Sequence, residues 1–194
     1  MTEKEVYSFY QEFVKPIYSE IEARWNDIPV EFLFEFYAAL DHLKRFQLNE
    51  SSEEESCTKA LSHLKRGVLD AFKLKLKYFN TDVEHFLKSS VDFQLIDNGR
   101  FISSFYSDRA EIIQVAKQAR LTESQNGKEL AFEGWFSVSQ KIDEFEHQYF
   151  SKVYEVEWAK TKTIKLVNKD SLRGFLMGLA SGILSFLLVA FVFS

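Results

Sequence analysis

The sequence predicts an all-α protein: a helical bundle of about six helices followed by a C-terminal transmembrane helix. Three observations carry this expectation. Apolar residues recur at steps of three and four along successive segments, the period of helices with one buried face. Seven glycines and two prolines in 194 residues leave few turn points, which favours long helices over sheets. Residues 174–193, GFLMGLASGILSFLLVAFVF, hold no charged side chain, and a helix of that length spans about 30 Å, the hydrocarbon thickness of a bilayer.

The elements follow in order. The first helix begins at Thr2, with Glu5 completing a capping box. Val6, Phe9, Phe13, Ile17 and Ile21 share one face, and Pro16 inside the run predicts a kink. Asn26, Asp27 and Pro29 break the pattern. A second helix over residues 30–48 places Leu33, Phe36, Tyr37, Leu40, Leu43 and Gln47 on its inner stripe. Phe32, Phe34 and Phe46 lie off that stripe, which predicts burial on two sides.

Residues 49–56, NESSEEES, read as a solvated acidic link that caps the next helix. The third helix, to Phe79, buries Cys57, Leu61, Leu64, Val68, Phe72 and Phe79. Lys65, Arg66, Lys73, Lys75 and Lys77 read as a solvated face balancing nearby acids, with a phosphate-bearing ligand as the alternative. Asn80 or Thr81 caps a fourth helix that stops before Asn98-Gly99. A fifth, over residues 101–124, turns Phe101, Phe105, Ile112, Ala116 and Ala119 inward and ends at Asn126-Gly127. The sixth begins near Glu129, with Trp135, Val138, Ile142, Phe145, Tyr149, Val153 and Val156 on its inner face. No proline or glycine falls between Trp135 and Arg173, which predicts one rod continuous with the membrane span.

Charge sets the expected topology. Lys160, Lys162, Lys165, Lys169 and Arg173 precede the span against Asp170 alone. Basic residues beside a span stay on the cytoplasmic side and contact anionic lipid head groups. The expected order is a cytoplasmic helical domain over residues 1–159, a basic juxtamembrane segment over 160–173 and a tail anchor over 174–193. With +4 in the juxtamembrane segment and −5 overall, the remainder stands at −9, which argues against nucleic acid as a partner. Cys57 is the only cysteine, so no internal disulfide forms and a reducing compartment fits. The first residues lack the apolar core of a signal peptide.

Within the anchor, Gly174, Gly178 and Gly182 recur every four residues, with Ser181 and Ser185 beside them. Small residues at this spacing form a flat stripe on which a second helix packs closely, so a homo-oligomer is expected. Phe175, Leu179, Phe186, Leu187 and Phe193 would face lipid.

Two heptapeptides repeat at an offset of 21 residues: residues 39–45, ALDHLKR, and residues 60–66, ALSHLKR. They fall on helices joined by a short loop, so an antiparallel hairpin is expected. The repeat reads as a shared core-and-rim pattern; alternatively His42 and His63 approach each other and bind a metal or sense pH. No cysteine or carboxylate stands at ligand spacing beside both, so no metal site is assigned.

The phrase at residues 60–66 with Leu69-Asp70 resembles HEPN-like all-helical prokaryotic domains. Active members of that group are ribonucleases that pair an arginine with a histidine four to six positions later. None of Arg24, Arg45, Arg66, Arg100, Arg109, Arg120 and Arg173 has that histidine, so the resemblance implies a fold and no RNase site. A small helical domain with a membrane segment also resembles effectors of bacterial antiviral systems that damage or depolarise the membrane, an analogy of architecture.

The chain holds no phosphate-binding glycine loop, H-E-x-x-H, C-x-x-C or nucleophile elbow. No catalytic residue and no cofactor is assigned, and a non-enzyme is expected. Glu144, Glu146 and His147 read as a solvated face, and Trp25, Trp135 and Trp158 as core or helix-contact residues. The expected function is an oligomerising effector that perturbs or permeates the membrane. The alternatives are a membrane-tethered adaptor for a protein partner and, third, a ribonuclease.

Overall fold

The computed structural model describes residues 1–26 and 30–192, with side chains as far as Gly182. The described residues form six long helices and no strand. They are α1 (residues 3–25), α2 (Val30–Gln47), α3 (Glu53–Leu87), α4 (Arg100–Asn126), α5 (Lys128–Tyr149) and α6 (Val153–Val192). Two compact units are present: Met1–Lys88 with Tyr106–Tyr149, and Ser89–Phe105 with Phe150–Ser194.

In the first unit α3 is the central helix, with α1, α2 and α5 packed on it. Small residues allow the close crossings. A Cβ on Gly67 of α3 would lie 3.1 Å from the Phe32 ring and 3.3 Å from Glu35 Cβ. A Cβ on Gly134 of α5 would lie 3.2 Å from Ala119 Cβ of α4. Between α1, α3 and α5, the ring of Phe13 packs edge-on against Phe132 and Phe136 at 5.5 and 5.3 Å. Phe72 packs on Phe132 at 5.9 Å. Such pairs contribute beyond their buried area.

Helix termini follow local chemistry. Thr2 and Glu5 form the expected capping box. The kink expected at Pro16 takes the form of a π-turn over Tyr10–Val14, after which the helix continues. Proline offers no N–H to the preceding turn, and the wider turn absorbs the lost bond. The extra residue brings Val14 onto the buried face beside Val6, Ile17 and Ile21. Asn26 ends α1 in the left-handed region at φ 49°, while Asp27 and Pro29 lie outside the described residues. Ser52 caps α3 by accepting from the Glu55 N–H at 3.3 Å. Gly127, at φ 87°, separates α4 from α5.

The second unit is built on two short 3-10 turns, Phe93–Leu95 and Asp97–Gly99, the start of α4, and α6. Phe93 stacks on Phe101 at 6.0 Å. The Asp92 N–H donates to Thr163 Oγ1 at 3.0 Å. Lys152 sits 3.9 Å from Asp97 and 5.6 Å from the Phe101 ring centre. Ala159 is fully buried.

Three expectations are corrected. α2 is turned so that Phe32, Ala39 and Leu43 are buried, while Tyr37 and Leu40 face outward and Phe34 is exposed. The helix is apolar on two faces, and only the face carrying small Ala39 meets α3. No fourth helix starts at Asn80 or Thr81, because α3 runs through both. Asn80 Nδ2 and Thr81 Oγ1 donate back to the carbonyls of Leu76 and Lys77, so they stay inside the helix. The rod expected from Trp135 onward is broken at residues 150–152. Val153 beyond the break is exposed and Val156 half-buried. Residues 160–173 and the apolar run that follows lie on one helix, α6.

Candidate functional sites

The repeated heptapeptides face each other across the α2–α3 hairpin. Ala39 and Leu43 of one copy and Ala60 and Leu64 of the other are buried. The histidine rings between them stack, with centroids 5.2 Å apart. His63 Nδ1 lies 2.6 Å from Glu35 Oε2 and 2.8 Å from Arg66 Nη2. A proton on Nδ1 is donated to Glu35; without it the nitrogen accepts from Arg66. Arg66 Nε stands 3.6 Å from the same carboxylate, too far for a hydrogen bond, and is itself buried without one.

Burial, the neighbouring His63 and the cations Arg45 and Lys59 hold the His42 pKa below its ordinary value, against the opposite pull of Asp41. The carboxylate in this cluster, Glu35, lies seven residues before His42 on α2. That helical spacing places both on one face, the signal by which the sequence announces it. Among the described residues no group of three or more His, Cys, Asp or Glu is placed to hold a metal ion.

A second cluster ties α1, α3 and α5 together. Lys75 is 1% exposed, and its ammonium donates to Glu20 Oε2 at 2.9 Å and Asp143 Oδ1 at 2.6 Å. Arg24 bridges Asp82 and Glu146 and lies over the Trp25 ring. Glu146 Oε1 is buried without a hydrogen bond. Burial raises the pKa of Glu146 despite the facing Arg24 and Lys75. Two residues expected on solvated faces are thereby corrected: Lys75 is buried and Glu146 half-buried, while Lys77, Glu144 and His147 are exposed. Lys73 is likewise drawn in, between Asp70 at 2.9 Å and Glu123 at 2.6 Å. The Lys75 ammonium is buried, whereas its partners Glu20 and Asp143 are 31% and 57% exposed.

The tryptophans divide. Trp135 is buried and donates from Nε1 to Glu123 at 3.1 Å. Trp25 stacks on Tyr78 at 4.5 Å. Trp158 is not a core residue: it is 52% exposed, with Lys162 over its ring at 5.8 Å.

α6 carries the residues expected to meet lipid or a second span, except Phe193, which lies outside the described residues. Lys160, Lys162, Lys165, Lys169 and Arg173 are all exposed, and Lys160 reaches Glu157 at 3.4 Å. Their spacing places all but Lys160 on one side of the helix, together with Trp158. Gly174, Gly178, Ser181 and Gly182 are exposed on one face, and a Cβ at any of the three glycines would touch nothing. The side chains of Ser185, Phe186, Leu187 and Phe193 lie outside the described residues. Within the described residues no helix is long and apolar enough to cross a membrane.

No protein-family model matches the chain, and neither do curated proteins or solved structures.

Proposed function

We propose that this is a membrane-anchored helical protein whose copies associate in the bilayer and perturb or permeate it. One observation carries the reading: α6 extends unbroken to Val192, and the large apolar side chains described in its uncharged run find no cover in the protein. Phe175, Leu176, Met177 and Leu179 are 65%, 55%, 74% and 47% exposed. Exposed apolar surface of this extent marks a membrane or partner surface. The described part of α6 falls short of a span by itself; the uncharged run continues in the sequence through Phe193. The basic residues ahead of it favour residues 1–159 on the cytoplasmic side. The glycine stripe, open along its described length, suits close packing with a second copy.

Full-length protein mixed with anionic vesicles and floated on a density gradient tests the anchor. Recovery with the vesicles after a high-salt wash is expected; protein left in the dense fraction overturns the anchor. Release of a trapped dye tests permeation, and Gly178→Ile should lower it several-fold. The effector and adaptor readings separate when residues 174–193 are exchanged for an unrelated span. An adaptor keeps its activity after that exchange, whereas a self-associating effector loses it.

A further inference from the structure

α2 leaves a whole face uncovered. Val30, Phe34, Tyr37 and Leu48 are 56%, 70%, 66% and 55% exposed. With Asp41 and Lys44 between them, these positions advance by alternating steps of four and three residues. That is the seam of a heptad helix, and it lies opposite Ala39 and Leu43, which are buried on the α3 side. Asp41 is half-buried and Leu48 directly follows the last residue of α2; the other four positions are turned to solvent, and such a seam is half of a coiled coil.

The polar residues in the seam specify the other half. Aligned antiparallel about the level of residue 39, two copies bring Val30 onto Leu48 of the second copy, Phe34 onto Lys44, and Tyr37 onto Asp41. The first contact is apolar, the second places an ammonium over an aromatic ring, and the third lets a phenol donate to a carboxylate. On the flanks Glu31 meets Arg45 of the second copy, and Leu40 meets its own equivalent. A parallel alignment would instead stack Asp41 on Asp41 and Lys44 on Lys44, which like charges disfavour. Within one copy Arg45 and Lys44 reach Asp41 at 2.9 and 3.9 Å, so the charges are already gathered at this face.

We propose that α2 is a docking face for a second copy of this chain, paired antiparallel through the seam Val30, Phe34, Tyr37, Asp41, Lys44 and Leu48. The pairing is isologous, as closed dimers require. It uses none of the residues of the glycine stripe, and it stands whether or not α6 enters a bilayer. A single helix pair lies at the small end of interface sizes, so proximity is a better readout than particle mass.

The test uses the full chain in detergent micelles, carrying Leu40→Cys and treated with a short bis-maleimide. The native Cys57 is buried and does not compete. Leu40→Cys should cross-link to a dimer several-fold more than Leu130→Cys, a more accessible control on α5 whose parent side chain is 70% exposed against 45% for Leu40. Glu31→Arg should cut that yield several-fold, and adding Arg45→Glu should restore it. Equal cross-linking at both cysteines, none at Leu40→Cys, a yield unmoved by Glu31→Arg, or no rescue in the double charge swap would each overturn the pairing.

Discussion

α3 and α6 are of similar length, 35 and 40 residues, and opposite in circumstance. Twelve residues of α3 are buried, from Ser56 near its start to Val83 near its end. Over residues 153–182 of α6, Ala159 is the only buried one. α3 carries lysines and acids between its apolar positions, and the protein closes over it even where the residue is charged, as at Lys75. α6 grows more apolar towards its end, and from Lys160 to Gly182 none of its residues is buried. A helix can therefore be central by pattern or apolar by composition: the first is finished by its own chain, and the second leaves its described apolar residues open.

The contrast breaks most visibly at the apolar run. Leu184→Arg, at its middle, places a charge where insertion costs about 3 kcal/mol, on the order of a hundredfold in partitioning. Flotation with vesicles should collapse while the melting of α1 to α5 stays as it was; retained flotation would mean that α6 is held by something other than lipid. On the α3 side, Lys75→Ala should lower stability by about 3 kcal/mol, through a cavity in the packed stem and two carboxylates left without their cation. Lys75→Met keeps the stem. Because Glu20 and Asp143 are 31% and 57% exposed and reach water, it should cost only about 1 kcal/mol by urea unfolding. Equal losses in the two variants would mean that charge, not packing, holds this position.

Two glycines sharpen the same comparison. Gly67→Leu forces a side chain against Phe32 and Glu35, and overpacking of this kind costs about 2 kcal/mol. A Cβ at Gly178 meets nothing within 4 Å, so the unfolding midpoint of Gly178→Leu should not fall; the expected effect is on association between copies. A fall in midpoint for Gly178→Leu would show that the stripe already has a partner within its own chain.

Most of the fold could be read where a residue has one physical option. Asn26 and Gly127 adopt left-handed φ, Ser52 caps α3, and Phe101, Phe105, Ile112, Ala116 and Ala119 are all buried as the period predicts. The failures fall where a residue has two. Asn80 and Thr81 can cap a helix or bond back within it, and pattern alone does not choose. α2 is apolar on two faces, and what decided the inner one was the close fit of Phe32 and Glu35 over Gly67, a property of two helices together. Lys75 and Glu146 looked solvated because charge usually is; their partners lie more than fifty residues away along the chain. The histidine approach was legible because the repeat and the hairpin both pointed to it.

The smallest expected effect is on the pH dependence of the hairpin. Facing His42 are Asp41 and Arg45 from α2 and His63 and Lys59 from α3, with Glu55 within electrostatic reach. Burial and the surrounding positive charge hold its folded pKa below the ordinary 6.5. Well above 6.5 neither the folded nor the unfolded chain protonates this ring, and its contribution to stability is complete. As pH falls below 6.5 the unfolded chain takes up the proton first, so stability is lost until the folded ring also titrates. Carboxylates that titrate in the same range complicate the raw profile, but they cancel in the difference between wild type and His42→Gln. The urea midpoint of the wild type should therefore fall more between pH 7.5 and 5.5 than that of His42→Gln. Parallel profiles for the two proteins would mean that the stacked rings at 5.2 Å only fill space, and that the crossing of α2 on α3 owes nothing to their charge.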